Sequence, residues 1–191
     1  GWAAVLAAAV LLMLLALWHL LTPDRGLQIE AAVEPDAAAA TPQRTIPPDD
    51  MPFDVDDIRS HLLDLPSTGS HTVDAQTTEA LLYCAECISL GTALEIEGTP
   101  FQIALVTEPG TDSVFSAAVI GVQDGEPSLQ LIVSGHDLTL TPGRGGTLVA
   151  QESRYAPADE ICCPSGWSVQ VYRFHDGRFE AGQRVSSAGE G

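Results

Sequence analysis

The chain has no lysine. Its only firm cations are eight arginines, set against 26 carboxylates, and the formal net charge is −18. Without lysine there is no Schiff-base amine, no Ser-Lys nucleophile pair and no phosphate-binding P-loop. With so few cations there is no basic stripe to neutralise phosphates, so the composition excludes nucleic acid as a partner and repels anionic headgroups. Carboxylates are plentiful, yet no alternating D-x-D-x-D-G run is present, which removes the usual calcium loop. The close trio Asp54, Asp56 and Asp57 reads instead as charge at a helix start. No cofactor motif and no metal-ligand spacing is found.

What is present begins with an uncharged run, GWAAVLAAAVLLMLLALWHLL, and every charge in the chain follows residue 23. About twenty helical residues at about 1.5 Å each span the roughly 30 Å of a bilayer core. A signal peptide has a shorter apolar region, so residues 1–22 are expected to form one transmembrane helix, with Trp18 and His19 at its interfacial end. His19 reads as a snorkelling interfacial residue rather than a proton relay. No cysteine follows the run closely, so the anchor is the helix and not a lipid. The flank carries Arg25 among Asp24, Glu30, Glu34 and Asp36. Together with the cysteines it places the N-terminus in the cytoplasm and the rest in a periplasm-like, oxidising space. Residues 23–51, rich in proline and alanine, read as an acidic extended linker. Residues 52–184 suffice for one extracytoplasmic domain with one hydrophobic core, and 185–191 read as a disordered tail.

Within that domain, Val55, Ile58, Leu62 and Leu65 recur at helical spacing behind Asp54 as N-cap, and Pro66 stops the run. A second helix is expected over Ala75–Tyr83, capped by Asp74. From Thr99 the texture becomes short β-branched and aromatic runs: 101–107, 114–122, 128–133, 137–141, 147–155, 167–174 and 179–181. Pro109-Gly110, Asp124-Gly125, Gly145-Gly146 and Asp176-Gly177 punctuate them as in an antiparallel meander. The expected class is α+β, with short helices packed on one curved, mainly antiparallel sheet or partial barrel.

Cys84, Cys87, Cys162 and Cys163 form an even set, which in an exported domain reads as two disulfides. Joining neighbours 162 and 163 closes a strained eight-membered ring. In an extended segment their side chains would point to opposite faces, so crosswise bridges to Cys84 and Cys87 are expected. Each would close about 75 residues, for which chain entropy gives roughly 4 kcal/mol. A zinc site suits an adjacent pair poorly. A redox centre suits the apolar setting LLYCAECISL no better.

Catalysis needs converging acid, base and nucleophile, and the candidates are His61, His71, His136 and His175 with scattered carboxylates. None has a recognised spacing. His136-Asp137 and His175-Asp176 read as turn pairs. Ser165 lacks the preceding Gly-x of a nucleophile elbow, and Arg154 and Arg173 read as surface partners of carboxylates. The expectation is that the chain is not an enzyme.

The segment RYAPADEICCPSGWSVQVYRFHDGRFEA, residues 154–181, resembles the closing part of actinobacterial LppP/LprE-like envelope lipoproteins, through its CCPSG and the aromatic hairpin that follows. SLGTALEIEGTPFQIALV, residues 89–106, resembles that family's entry into the sheet. The resemblance covers about 90 residues and implies an envelope protein; the family's function is undefined and it brings no catalytic residues to carry over. The chain departs from the family in having a helix where family members are often lipid-anchored through a cysteine. The expected function is therefore a single-pass accessory or assembly subunit of a larger cell-envelope membrane complex. It would dock through the helix and the acidic domain. In one version the complex is respiratory and the acidic face steers a basic electron carrier. The alternative is a binding protein for a lipid or cell-wall fragment, with a pocket lined by Phe115, Ile120, Leu131 or Trp167.

Overall fold

A computed structural model describes residues 41–47, 50, 53–66 and 72–187. The expected transmembrane helix at 1–22, most of the linker, His19 and His71 lie outside the described residues. Among the described residues no helix is long and apolar enough to cross a membrane.

The chain runs β1 (Gln43–Ile46), α1 (Val55–Asp64), α2 (Ala75–Tyr83), a 3-10 turn (Ala85–Cys87), then β2 (Ile88–Ile96), β3 (Thr99–Thr107), β4 (Val114–Gln123), β5 (Glu126–Ser134), β6 (His136–Pro142), β7 (Thr147–Arg154), β8 (Gly166–His175) and β9 (Arg178–Ser187). Both helices start where the sequence indicates. The Asp54 carboxylate accepts the N–H groups of Asp56 and Asp57 at 2.9 and 2.8 Å. The Asp57 carboxylate in turn accepts the Asp54 N–H, completing a capping box. Asp74 caps α2 by accepting the Thr77 N–H at 2.8 Å. At the other end of α2, Arg59 of α1 donates to the carbonyls of Cys84 and Ala85, filling acceptors that a helix end leaves open.

The strands form two antiparallel sheets, not one. β1–β5 and β6–β9 each pair in sequence order, and neither closes into a barrel. The five-stranded sheet is covered on both faces. One face packs on the helices through Ile58, Leu62, Leu81, Ala104, Val106 and Ile120. The other packs on the four-stranded sheet through Leu94, Ile96, Phe101, Ile103, Leu148 and Phe174. Phe101 stands edge-on to Phe174 and Phe179, with ring centroids 5.0 and 5.2 Å away. A bulge between Val119 and Ile120 on the β4–β5 ladder turns Leu129 to the helix side while Leu131 and Val133 face the other sheet. There the Leu129 N–H donates to Nε2 of His61 at 3.2 Å.

The expected single curved sheet is thus corrected to two stacked sheets, and the break falls at Gly135. A Cβ on Gly135 would fall on the Glu152 carboxylate and within 3.0 Å of its Cβ, so the chain turns from one layer to the other where only glycine fits. In sequence, Ser134-Gly135 looks like any other hairpin turn.

Three boundaries also differ from expectation. Gln43–Ile46 lies in the span read as linker but pairs with Ala93–Ile96 of β2. Four residues bounded by Pro42 and Pro47 are too short to show alternation, and proline at both ends suits an edge strand. Residue pattern does not indicate β2, because a register shift between Leu90 and Ala93 breaks its periodicity, and only the resemblance implies that the chain enters the sheet there. Val185, Ser186 and Ser187, read as tail, complete β9 against Trp167–Val169.

The crosswise disulfides are corrected to two local ones, Cys84–Cys87 and Cys162–Cys163, with Cα separations of 5.3 and 3.8 Å. The first pair spans one 3-10 turn and is buried at the C-terminal end of α2. The second is exposed in the β7–β8 loop, where the Cys163 N–H donates to Glu160 O at 2.9 Å. Cys162 and Cys163 lie in a turn and not in a strand, so the premise that their side chains must diverge fails. Chain entropy gives such short loops about 1–2 kcal/mol each, well below a 75-residue closure.

Candidate functional site

The helix start that holds Asp74, the β3–β4 turn that holds Glu108 and the corner after Gly135 meet at one end of the stacked sheets. Between them runs a groove of three adjoining concavities of about 290, 640 and 360 Å³. Gln76 and Phe115 are shared by the first two, and Glu108 and His136 by the last two. Its walls carry Asp74, Glu79, Glu108, Asp137, Glu152 and Asp159, with Arg154 as the one lining arginine. Apolar groups mark both ends. Tyr83 at one end is 83% exposed, and Ile161 at the other is 94% exposed, beside Tyr155.

Four of these carboxylates are held in place. Asp74 accepts Ser134 Oγ at 2.8 Å besides its capping bond, which ties the start of α2 to the end of β5. Burial pushes the Asp74 carboxyl towards protonation, but the bonds from Thr77 and Ser134 together outweigh it and hold its pKa below the ordinary value. Asp137 has a φ of 45°, a left-handed conformation that aspartate tolerates. Its carboxylate accepts Ser113 Oγ at 2.7 Å and Tyr155 OH at 2.9 Å. These hydroxyls, Ser113 first, hold its pKa down. The single proton of Tyr155 is shared between Asp137 and the carbonyl of Ile161, 3.0 Å away. Asp159 accepts the N–H groups of Ala156 and Ser165 at 2.7 and 2.9 Å, which brace the β7–β8 loop and lower its pKa. Glu152 is partly neutralised by Arg184 at 2.6 Å and Arg154 at 3.5 Å. The groove thus presents Asp74, Asp137, Glu152 and Asp159 in fixed positions between aromatic and aliphatic ends.

Of the candidate histidines among the described residues, only His136 reaches the groove, edge-on to Tyr155 at 5.8 Å. His61 is spent on the β5 backbone, and burial lowers its pKa. His175 sits exposed at the β8–β9 turn, 3.4 Å from the Asp176 carboxylate. Ser165 is a turn residue bonded through its N–H to Asp159. Asp54, Asp56 and Asp57 serve the start of α1. No group of three or more His, Cys, Asp or Glu placed to hold a metal occurs among the described residues.

The residues expected to line a concave ligand pocket do not converge. Phe115 borders the groove, Ile120 is in the helix-side core, Leu131 packs between the sheets, and Trp167 is on the outer face of the four-stranded sheet. The gap beside Val133, Leu138 and Ala150 measures about 10 Å³, scarcely one water. Conversely, Glu108, Ser113, Tyr155 and Asp159 were not singled out from the sequence. Asp159 carried the only available signal, an aspartate five residues before Pro164-Ser165-Gly166 in a turn-rich stretch. The chain matches no family model, no curated protein and no solved structure.

Proposed function

We propose that this chain is a non-enzymatic accessory or assembly subunit of a cell-envelope membrane complex, and that the acidic groove receives a basic, partly apolar segment of a partner. The observation that carries this is the groove itself: ordered carboxylates flanked at both ends by exposed Tyr83 and Ile161. Such a surface favours a segment with arginine or lysine at its centre and apolar residues at its ends. Charge would speed encounter, and the apolar ends would hold the complex. Two side chains that a reaction could use are committed to the fold, His61 to a backbone N–H and Asp74 to a helix cap. The apolar run at 1–22, read as a span, and the likeness of 154–181 to envelope lipoproteins support the location.

The test is to tag the C-terminus, solubilise native membranes in a mild detergent and identify what co-purifies at fixed stoichiometry. A stoichiometric set of membrane proteins is expected. Glu108→Lys with Asp159→Lys should remove it, and raised salt should slow its association. Recovery of the chain alone, or partners indifferent to both changes, overturns the reading.

A further inference from the structure

Among the described residues the four-stranded sheet is covered on one face only. Its inner residues, Leu148, Ala150, Tyr172 and Phe174, belong to the core between the sheets. The alternate residues of the same strands point away from the core. Along β8 these are Trp167, Val169 and Val171. Val149 stands opposite Val171, and Val185 opposite Val169. They form one apolar stripe across three strands, with Trp167, Val171 and Val185 exposed by 44, 40 and 56%. A contiguous apolar patch on a solvated face marks an interaction surface.

The charge around it is unlike the rest of the molecule. From His136 to Ser187 five arginines balance all but one of six carboxylates, in a chain of net charge −18. On the outer face itself the charged groups are Arg173, Arg178 and Glu180, and Arg178 lies 2.6 Å from Glu180. Two copies of so acidic a chain repel each other at almost every approach, and this face is where that repulsion vanishes. A basic partner would be drawn to the acidic groove instead. The shape also suits a second sheet: short valine side chains on a pleated face pack against another such face about 10 Å away. Four strands of seven to ten residues, about 4.8 Å apart and rising about 3.3 Å per residue, present roughly 550 Å². Two faces then bury roughly 1,100 Å², at the lower limit of a specific interface.

We infer that the outer face of the β6–β9 sheet is a homodimer interface, in which two copies of this chain stack sheet on sheet about a two-fold axis through the Trp167–Val169–Val171 stripe.

The full chain in mild detergent is the sample. Its protein mass by sedimentation equilibrium should be that of a dimer at tens of micromolar. Val171→Glu with Val185→Glu should weaken association at least tenfold, while an unchanged circular dichroism spectrum reports a folded chain. Val169→Cys lies near the expected axis and should give a covalent dimer on mild oxidation, which tests the interface without adding charge. A monomer at 100 µM overturns the inference, as does a dimer that keeps its affinity in the glutamate variant. Absence of the Val169→Cys cross-link from an otherwise dimeric sample overturns it as well, since the axis must then lie elsewhere. So does a stripe that binds vesicles of neutral and anionic lipid while the chain stays monomeric, because the face is then a lipid surface.

Discussion

Apart from β1, which reaches β2 through both helices, the two sheets consist of sequential antiparallel strands, yet they read differently in sequence because different things cover them. β4, between helices and the second sheet, is VFSAAVIGVQ, buried without interruption from Phe115 to Gly121. β8 is GWSVQVYRFH, in which Ser168, Tyr172 and Phe174 are buried and Trp167, Val171 and Arg173 are exposed. A strand with cover on both faces tolerates apolar residues everywhere, whereas one with a single covered face alternates. The valines on the open side of β8 break that alternation, and they are what makes the outer face worth testing.

Substitution of the shared core should separate the layers most sharply. Phe101→Ala empties the ring cluster between the sheets and is expected to cost about 3–5 kcal/mol. Val171→Ala on the open face should cost less than about 1 kcal/mol in a monomeric sample. Urea unfolding of both variants checks the contrast, and equal losses would mean that the outer face is covered.

A smaller effect concerns the bridges. Replacing Cys162 and Cys163 together by serine should cost about 1 kcal/mol, and peptide mapping without reduction should find both bridges local. A loss near 4 kcal/mol, or a peptide joining the 84–87 turn to the β7–β8 loop, would restore the crosswise arrangement and tie the two sheets covalently.

The smallest is a pH effect confined to the helix-covered side. Burial depresses the His61 pKa below its ordinary value of 6.5, so the unfolded chain binds a proton more readily than the folded one. The stabilisation by neutral His61 is therefore complete above about pH 6.5 and is lost as pH falls through the lower folded value. Unfolding titrations from pH 7.5 to 5 should show that decline, and His61→Gln should flatten it. A slope that persists in the variant assigns it to other groups.

Much of this architecture was legible from residue patterns. The Asp54 and Asp74 caps, both helices and seven of the strands follow from short-range chemistry that each segment carries within itself. The breaks in the reading have long-range causes. β1 is a strand only because β2 lies beside it, and β2 hides its alternation behind a bulge that Ile103 and Gly91 share. The corner at Gly135 needs Glu152, seventeen residues on. The groove failed for the same reason: Asp74, Glu108, Asp137 and Asp159 come from four segments, and no local motif announces that they meet. The cysteines failed through a wrong local premise, an extended chain where a turn stands.

The Gly135 corner also bears on the order of assembly. Each sheet is a meander whose strands pair with their sequence neighbours, so the ladders close mostly short loops and form early. Synthesis runs from the N-terminus, and everything the five-stranded sheet needs for its helix-side core precedes residue 135. The apolar face made by Leu94, Ile96, Phe101 and Ile103 then waits for the last fifty or so residues to cover it. A chain stopped at the corner would hold most of its fold and still be sticky, which makes the β6–β9 half the lid that ends an aggregation-prone interval.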